Sequence, residues 1–357
     1  MATKRSSIGV DTSDKKSRVC MLSFEGEILE ETEIPTSPSG YTRYFGRQEP
    51  ALVTFEVGSH SAWIEEVVHD CGHDVIVANP RKLALISESN HKTDRRDALT
   101  LAKLAAFSPE LLSPVTQRSP DMRLDLTVEH ARNALVDERT ALVNTVRGLV
   151  KPTGARIPKK ISTHAFHTKA MEHIPPKLVA VLTPLLTVIG ELTRQIDHYE
   201  REIEKLGKEK YPVTAHLREV AGIGPITALA FVLIIMDPRR FKKSRDVGAY
   251  LGLVPRTYQS GESSPELRIT KSGNTLLRRL LVGSAHYILG PFGHRQDSDL
   301  RRYGLALIAR GGKAAKKRAV VAVARRLAVI LHRMWLTGEH YEPLRNANRR
   351  EAKRASA

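Results

Sequence analysis

The sequence predicts an α/β domain followed by a long helical region and a mainly helical second domain. Three observations lead there. Short apolar and β-branched runs, punctuated by turn formers, fill roughly the first hundred residues. Apolar spacing then turns helical over two long stretches, and the rest of the chain stays helical almost to its end. With 357 residues, 41% of them hydrophobic, the chain has material for two domains with ordinary cores.

Ser7–Asp11 (SIGVD), Arg18–Phe24 and Ile28–Ile34 read as three strands. The links between them are short, at Asp14-Lys15-Lys16 and at Phe24–Glu27, so an antiparallel meander is expected. A helix at Tyr41–Arg47 leads to a fourth strand, Ala51–Glu56 (ALVTFE). Helix Ser61–Cys71, strand Asp74–Ala78 and, after Asn79-Pro80, helical segments through Ala106 complete the order βββαβαβα. That order is the one found in ribonuclease H-like folds, although strands with crossover helices fit other α/β sheets as well. The domain is placed at 1–115.

The region 116–210 reads as two long helices with coiled-coil-like spacing, a connector that could also serve oligomerisation. The first runs from Pro120 to Leu149, before Pro152, Gly154 and Pro158 break it; the second spans Leu178–Lys208. Its stripe of Leu185, Val188, Leu192, Ile196, Tyr199 and Ile203 suits an intramolecular hairpin and an oligomer interface equally. A helical domain follows at 211–340, then a basic, apolar-poor tail at 341–357 that is expected to be disordered.

Charge is unevenly spread. Of 56 Lys and Arg and 39 Asp and Glu, residues 1–100 hold 12 and 16, a net of −4, which leaves 44 and 23, a net of +21, for the remainder. A polyanionic partner on the carboxy-terminal part is implied. Aromatics are only 5%, which argues against a stacked single-strand platform. Cys20 and Cys71 are too few and too isolated for a disulfide framework or a cysteine metal site, so reduced thiols are expected. MATKRSSIGVDTS lacks a signal-peptide apolar run and no uninterrupted apolar stretch reaches membrane length, so a cytoplasmic protein without a membrane partner is expected.

Asp11 closes the first strand in IGVDTS and Glu56 the fourth in TFEVGS. If those strands are neighbours, both carboxylates leave the sheet at one edge. Asp94 and Asp97, in HKTDRRDA, stand three apart and share a helix face. Singly, each has a structural explanation as a turn former, a helix-start acid or an ion-pair partner. Together they compose an all-oxygen ligand set suited to Mg²⁺ and to in-line phosphodiester chemistry.

In the second domain, VAGIGPITALA has the Gly222-x-Gly224-Pro turn of a helix-hairpin-helix, whose backbone N–H groups can hold a phosphate. Arg239, Arg240, Lys242, Lys243 and Arg245, then Lys271, Arg278 and Arg279, add charge nearby. A helix over 311–326 is expected to pack through Val320, Val321 and Val323 while Lys313, Lys316, Lys317 and Arg318 reach a DNA or RNA backbone. His60, His69 and His73 lack matched ligands and receive no role.

IGVDTSDKK, TFEVGSHSAWIEEVVHDCGHDVIVANPRKLALIS and HKTDRRDALTLAKLA, followed by VAGIGPITALAFVL, FKKSRDVGAYLGLVPRTYQSGESS and ITKSGNTLLRRLLVGSAHYIL, resemble the DEDD transposases of insertion sequences. The similarity is to the insertion-sequence one-ten family of bridge-RNA-guided recombinases, over nearly the whole chain. The resemblance implies a RuvC-like domain with Asp11, Glu56, Asp94 and Asp97 as its tetrad and Mg²⁺ as its cofactor. It also implies a serine nucleophile, best matched by Ser260 in YQSG. Relatives continue with glycine and lysine where this chain has GESSP, which keeps Ser263 and Ser264 in view. Donor and target double-stranded DNA, a bridge RNA and a homodimer or tetramer are implied in the same way. Two other readings fit parts of the sequence: a metal-dependent, structure-selective nuclease of the Holliday-junction type using water, and a non-catalytic nucleic-acid-binding protein.

Overall fold

Five strands, β1 (Ser7–Thr12), β2 (Lys16–Leu22), β3 (Ile28–Pro35), β4 (Leu52–Glu56) and β5 (Asp74–Ala78), form one sheet of order β3-β2-β1-β4-β5. The first three make the antiparallel meander, and β4 and β5 then run parallel to β1. The structure is a computed structural model that describes residues 5–80, 93–258, 267–291, 296–346 and Asn348.

Side-chain alternation divides the sheet into two faces. Ile8, Val10, Val53 and Phe55 pack with Tyr41, Phe45, Ile64 and Val68 of α1 (Pro38–Phe45) and α2 (Ser61–Asp70). The opposite face is covered by α3 (Asp94–Phe107), whose Ala98 and Ala102 meet Cys20 and Leu22, while its Leu101, Leu104 and Ala105 meet Ala78. The result is a three-layer α/β/α arrangement.

Element ends differ from the sequence reading where a side chain caps the backbone. β2 stops two residues before the predicted Phe24 because Ser23 starts the turn: its Oγ accepts the N–H groups of Glu25 and Glu27 at 3.1 and 3.2 Å, and Gly26 takes φ +91°. α1 begins at Pro38 rather than Tyr41, because Ser37 Oγ accepts the Gly40 N–H at 3.1 Å and Pro38 fits the first helical turn. Of the helical segments read after Pro80, those over 81–92 lie outside the described residues.

Compactness divides the chain once, into Met1–Ser119 and Pro120–Ala357. The regions 116–210 and 211–340 read from the sequence meet within that second unit, apart from its first four residues. Among the described residues its α-helices are α4 (Pro120–Val150), α5 (Phe166–Lys169), α6 (Pro176–Glu209), α7 (Val213–Leu217), α8 (Pro225–Ile235), α9 (Asp246–Tyr250), α10 (Thr275–Leu289), α11 (Asp299–Ala309) and α12 (Ala315–Thr337).

α4 and α6 form an antiparallel hairpin, since Arg132 bonds Glu200 whereas Arg139, further along, bonds Thr193 at 3.2 Å. The hairpin buries Leu182, Leu186, Ile189, Ile196 and Ile203 of α6, whereas Val188 of the expected stripe is exposed and Leu185, Leu192 and Tyr199 are half-buried, because the face turned to α4 is rotated from that stripe. By length and composition α6 could cross a membrane. Its use in the hairpin means that it does not indicate a membrane protein. The break after α4 is held by Arg147, which donates to the carbonyls of Ile157, Pro158 and Ile161 and lies 5.1 Å over the buried Phe166 ring. α8 is enclosed on all sides, with every residue from Thr227 to Ile235 buried, and it packs with α10 and α12. The start of the segment expected to be a disordered tail is anchored: Tyr341 N–H donates to Glu219 and Pro343 O accepts from Asp299. Most of its remainder, Ala347 and residues 349–357, lies outside the described residues.

Candidate active site and nucleic-acid interface

In the parallel pair β1/β4, Gly9 stands opposite Thr54 and Val10 opposite Phe55, so Asp11 and Glu56 come next at the carboxyl ends of neighbouring strands. Both share the strand face of Gly9 and Thr54, which is the face under α3. The helix runs antiparallel to β1, because Ser7 Oγ donates to the carbonyl of Ala102 at 3.0 Å while Gly9, further along the strand, faces the segment from Ala98 to Ala102. The first turn of α3 accordingly lies at the carboxyl end of β1. Asp94 and Asp97 occupy that turn, which Thr93 caps by accepting the Arg96 N–H.

Gly9 makes this approach possible: a Cβ there would lie 2.0 Å from Ala98 O and 2.4 Å from Ala102 N. Asp94 is exposed, while Asp11, Glu56 and Asp97 are half-buried. The backbone thus places the four acids, oxygen donors only, at one end of the sheet, but no three of them bring ligand atoms within 4.8 Å of one another. Burial pushes the Tyr41 phenol up to about 12, opposed by its hydrogen bond to Ser17 and reinforced by the Asp11 carboxylate. Burial likewise raises the Cys20 thiol to about 11, which keeps it inert, and both cysteines are free.

Ser260 and its neighbours Ser263 and Ser264 lie outside the described residues. Their flanks are described. Arg256 N–H donates to Arg268 O, Thr270 N–H to Val254 O and Lys271 N–H to Gly252 O, so two antiparallel segments approach on either side of that stretch. Lys271 is exposed in the left-handed region at φ 56°, next to Gly252 at φ +67°.

The Gly222–Gly224 turn joins α7 to α8, with Gly222 at φ +87° and Pro225 in the first turn of the helix. A cleft of about 500 Å³ lies against it, lined by Gly222, Gly224, Thr227, Arg279, Ser284 and Tyr287. Arg279 also pairs with Asp137 at 3.0 Å. Arg278 is committed to the fold instead, donating to the carbonyls of Leu251 and Gly273 at 3.1 and 3.0 Å.

Arg239 pairs with Asp237, and the Arg240 guanidinium lies over the Phe241 and Tyr250 rings; Lys242 and Lys243 are exposed. The loop carrying them is held by the fully buried His332, whose Nε2 donates to Pro238 O at 2.8 Å while its Nδ1 accepts from Ser244 Oγ at 3.0 Å. Val320 and Val323 are buried in α12, with Lys316, Lys317 and Arg318 exposed on its first turn and Lys313 just ahead of it.

His60 and His73 have structural partners: His60 meets Asp14 at 3.1 Å, and the buried His73 bonds Phe45 O and the Ala51 N–H. One cluster escaped the sequence reading. Among the described residues, the trio of metal-ligand atoms within 4.8 Å of one another belongs to His216, Glu219 and His340. The Tyr341 N–H, then His340 and His216, hold the Glu219 carboxyl down at about 2. No short motif could reveal this cluster, since Glu219 and His340 are 121 positions apart.

Two family models match the chain. Residues 8–154 match the model of DEDD transposases of the IS110 type, described as a transposase, and residues 214–295 match the "Transposase IS116/IS110/IS902 family". The transposase for insertion sequence element IS1328 of Yersinia enterocolitica is 32% identical over 247 residues, covering 68% of this chain and 72% of the relative. The transposase for IS1111A of Coxiella burnetii is 28% identical over 341 residues, 94% of this chain and 90% of that one. A pilin gene-inverting protein of Moraxella lacunata is 24% identical over 267 residues, 72% and 71% of the two chains.

Proposed function

The chain belongs to the IS110 family of DEDD transposases, and from that premise we propose that it recombines DNA through a ribonuclease H-like (RuvC-like) carboxylate site and a serine nucleophile, Ser260. One observation carries the reading: Asp11 and Glu56 stand near the carboxyl ends of neighbouring parallel strands on the face covered by α3, whose first turn holds Asp94 and Asp97 at that same end. The sheet order, with a meander followed by two parallel strands, supports the ribonuclease H-like assignment.

Asp11, Glu56, Asp94 and Asp97 would hold Mg²⁺, which when bound polarises a phosphodiester and stabilises its attacking and leaving oxygens. Ser260 Oγ attacks phosphorus; the Oγ–P bond forms, the P–O bond to the departing sugar breaks, and the proton lost by the serine is balanced by the one taken up on the sugar oxygen. A hydroxyl of the incoming strand reverses the step and frees the serine. The phosphodiester is conserved throughout, so no external energy source is needed. The relative named for inverting a pilin gene favours this reading over hydrolysis, because an inversion must rejoin what it cuts.

The Gly222–Gly224 turn, Arg279, Lys271, the loop with Arg239, Arg240, Lys242 and Lys243, and the Lys313–Arg318 end of α12 form the nucleic-acid surface in this reading. Arg278 contributes by shaping its loop rather than through phosphate contact. A bridge RNA enters through the family resemblance. Exposed Val181 and Val188 on α6, at 65% and 47%, support a dimer or a tetramer.

Incubated with donor and target DNA, bridge RNA and Mg²⁺, the protein should yield DNA-linked chains that survive denaturation. Ser260→Ala should abolish them, and Asp11→Asn should lower metal-dependent cutting by at least roughly 10³-fold. Adducts persisting in Ser260→Ala would overturn the nucleophile assignment, and cutting without any adduct in the unaltered protein would replace recombination with hydrolysis.

A further inference from the structure

His216 stands in α7, Glu219 on the turn that leads to Gly222, and His340 just past Gly338, which ends α12 at φ 71°. Glu219 Oε1 is 3.2 Å from His216 Nδ1 and 2.7 Å from His340 Nδ1. Its other oxygen, Oε2, accepts the Tyr341 N–H at 2.9 Å. The backbone thereby fixes the carboxylate and turns Oε1 towards both rings, as partners beyond the ligands do in metal sites.

The His216 side chain is 18% exposed, and its Nε2 is buried with no hydrogen-bond partner. Its Nδ1 faces Glu219, so Nδ1 is the ring nitrogen that a shared ion would meet. His340 is 83% exposed, so one side of the trio is open to water.

We propose that His216, Glu219 and His340 form a site for a divalent transition ion of the zinc type, which ties the chain beyond α12 to the turn in front of the Gly222 cleft. Ligands about 2.0–2.1 Å from a tetrahedral ion lie about 3.3 Å apart. The 3.2 Å contact already meets that spacing, and the 2.7 Å contact meets it after opening by about half an ångström, a small move for the exposed His340. Two imidazoles and one carboxylate favour zinc over magnesium, whereas the all-carboxylate tetrad favours the reverse. Water completes the fourth position. The ion joins positions 121 apart, so its effects are on the stability of the unit and on the posture of the hairpin turn.

The test uses the full chain without a histidine tag, stripped of metal by a chelator and titrated with zinc sulfate in an Asp11→Asn, Glu56→Gln background, which removes the tetrad as a competing site. One zinc per chain should bind, with a Tm about 5 °C higher at a hundredfold excess over Kd. His340→Ala should lose both effects while keeping the metal-free Tm, since His340 is exposed. His340→Cys should regain zinc, because a thiolate is a zinc ligand. Failure of zinc to bind at micromolar concentration would overturn the proposal and leave the trio as a hydrogen-bonded clasp. Equal binding by His216→Ala, Glu219→Gln and His340→Ala would overturn it too, by placing the ion elsewhere.

Discussion

A methyl group on Gly9 would collide with the backbone of α3 at Ala98 O and Ala102 N, 2.0 and 2.4 Å away. Neither atom can move without moving the helix, so Gly9→Ala must part α3 from β1. Overpacking of this kind costs on the order of 1–3 kcal/mol or more. The expected result is a lower denaturation midpoint together with a loss of metal-dependent DNA cutting greater than the instability explains, because Asp94 and Asp97 shift with the helix. Preserved cutting in a folded Gly9→Ala protein would show that the helix does not position those acids. The placement of the four candidate acids was legible in the sequence, since IGVDTS and TFEVGS end apolar runs and Asp94 and Asp97 stand at helical spacing. Gly9 was not, because a glycine in a strand declares its purpose only once the element above it is known. Arg278 reads as one more cation in a basic stretch until its two carbonyl acceptors are seen.

Within the α4/α6 hairpin, Glu129 is fully buried and neither carboxylate oxygen has a hydrogen-bond partner. Burial pushes its carboxyl up to about 8, with Arg132 opposing and Glu200 reinforcing the rise. In the unfolded chain the group ionises near 4.5. Between those pH values the unfolded chain has lost the proton that the folded one keeps, so the contribution of Glu129 to stability, complete below pH about 4.5, falls as pH rises and is lost above about 8. Glu129→Gln should remove that slope and leave the protein ~3–5 kcal/mol more stable than the unaltered chain at pH 9, relative to the difference between them at pH 4. Urea denaturation at the two pH values measures it, and equal slopes would show that Glu129 is ionised in the fold. The two long helices were readable from apolar period alone, but their pairing was not: the same stripe serves a hairpin or an oligomer, and only contacts such as Arg139 to Thr193 decide. The caps at Ser23 and Ser37 moved element ends for a similar reason, since their hydroxyls act on backbone groups that no apolar pattern records.

At the scale of the whole molecule, a net of −4 over residues 1–100 and of +21 over the rest assigns phosphate neutralisation to the carboxy-terminal part. Binding to duplex DNA should weaken steeply with salt, by about 0.9 in log K per log salt for each phosphate neutralised. Replacing Lys316, Lys317 and Arg318 with alanine should reduce that slope by up to about 2.7 and weaken binding similarly across sequences. An unchanged slope would remove the start of α12 from the DNA surface and leave it for another polyanion. The anchored stretch after α12 also bears on how the protein can be handled. Tyr341 N–H, Pro343 O and Asn346 N–H are each engaged, by Glu219 or by Asp299. A fluorescent or affinity fusion at this end should therefore be joined after Asn346, because a junction placed earlier would pull on the hairpin turn and report on a protein whose cleft the label itself had altered.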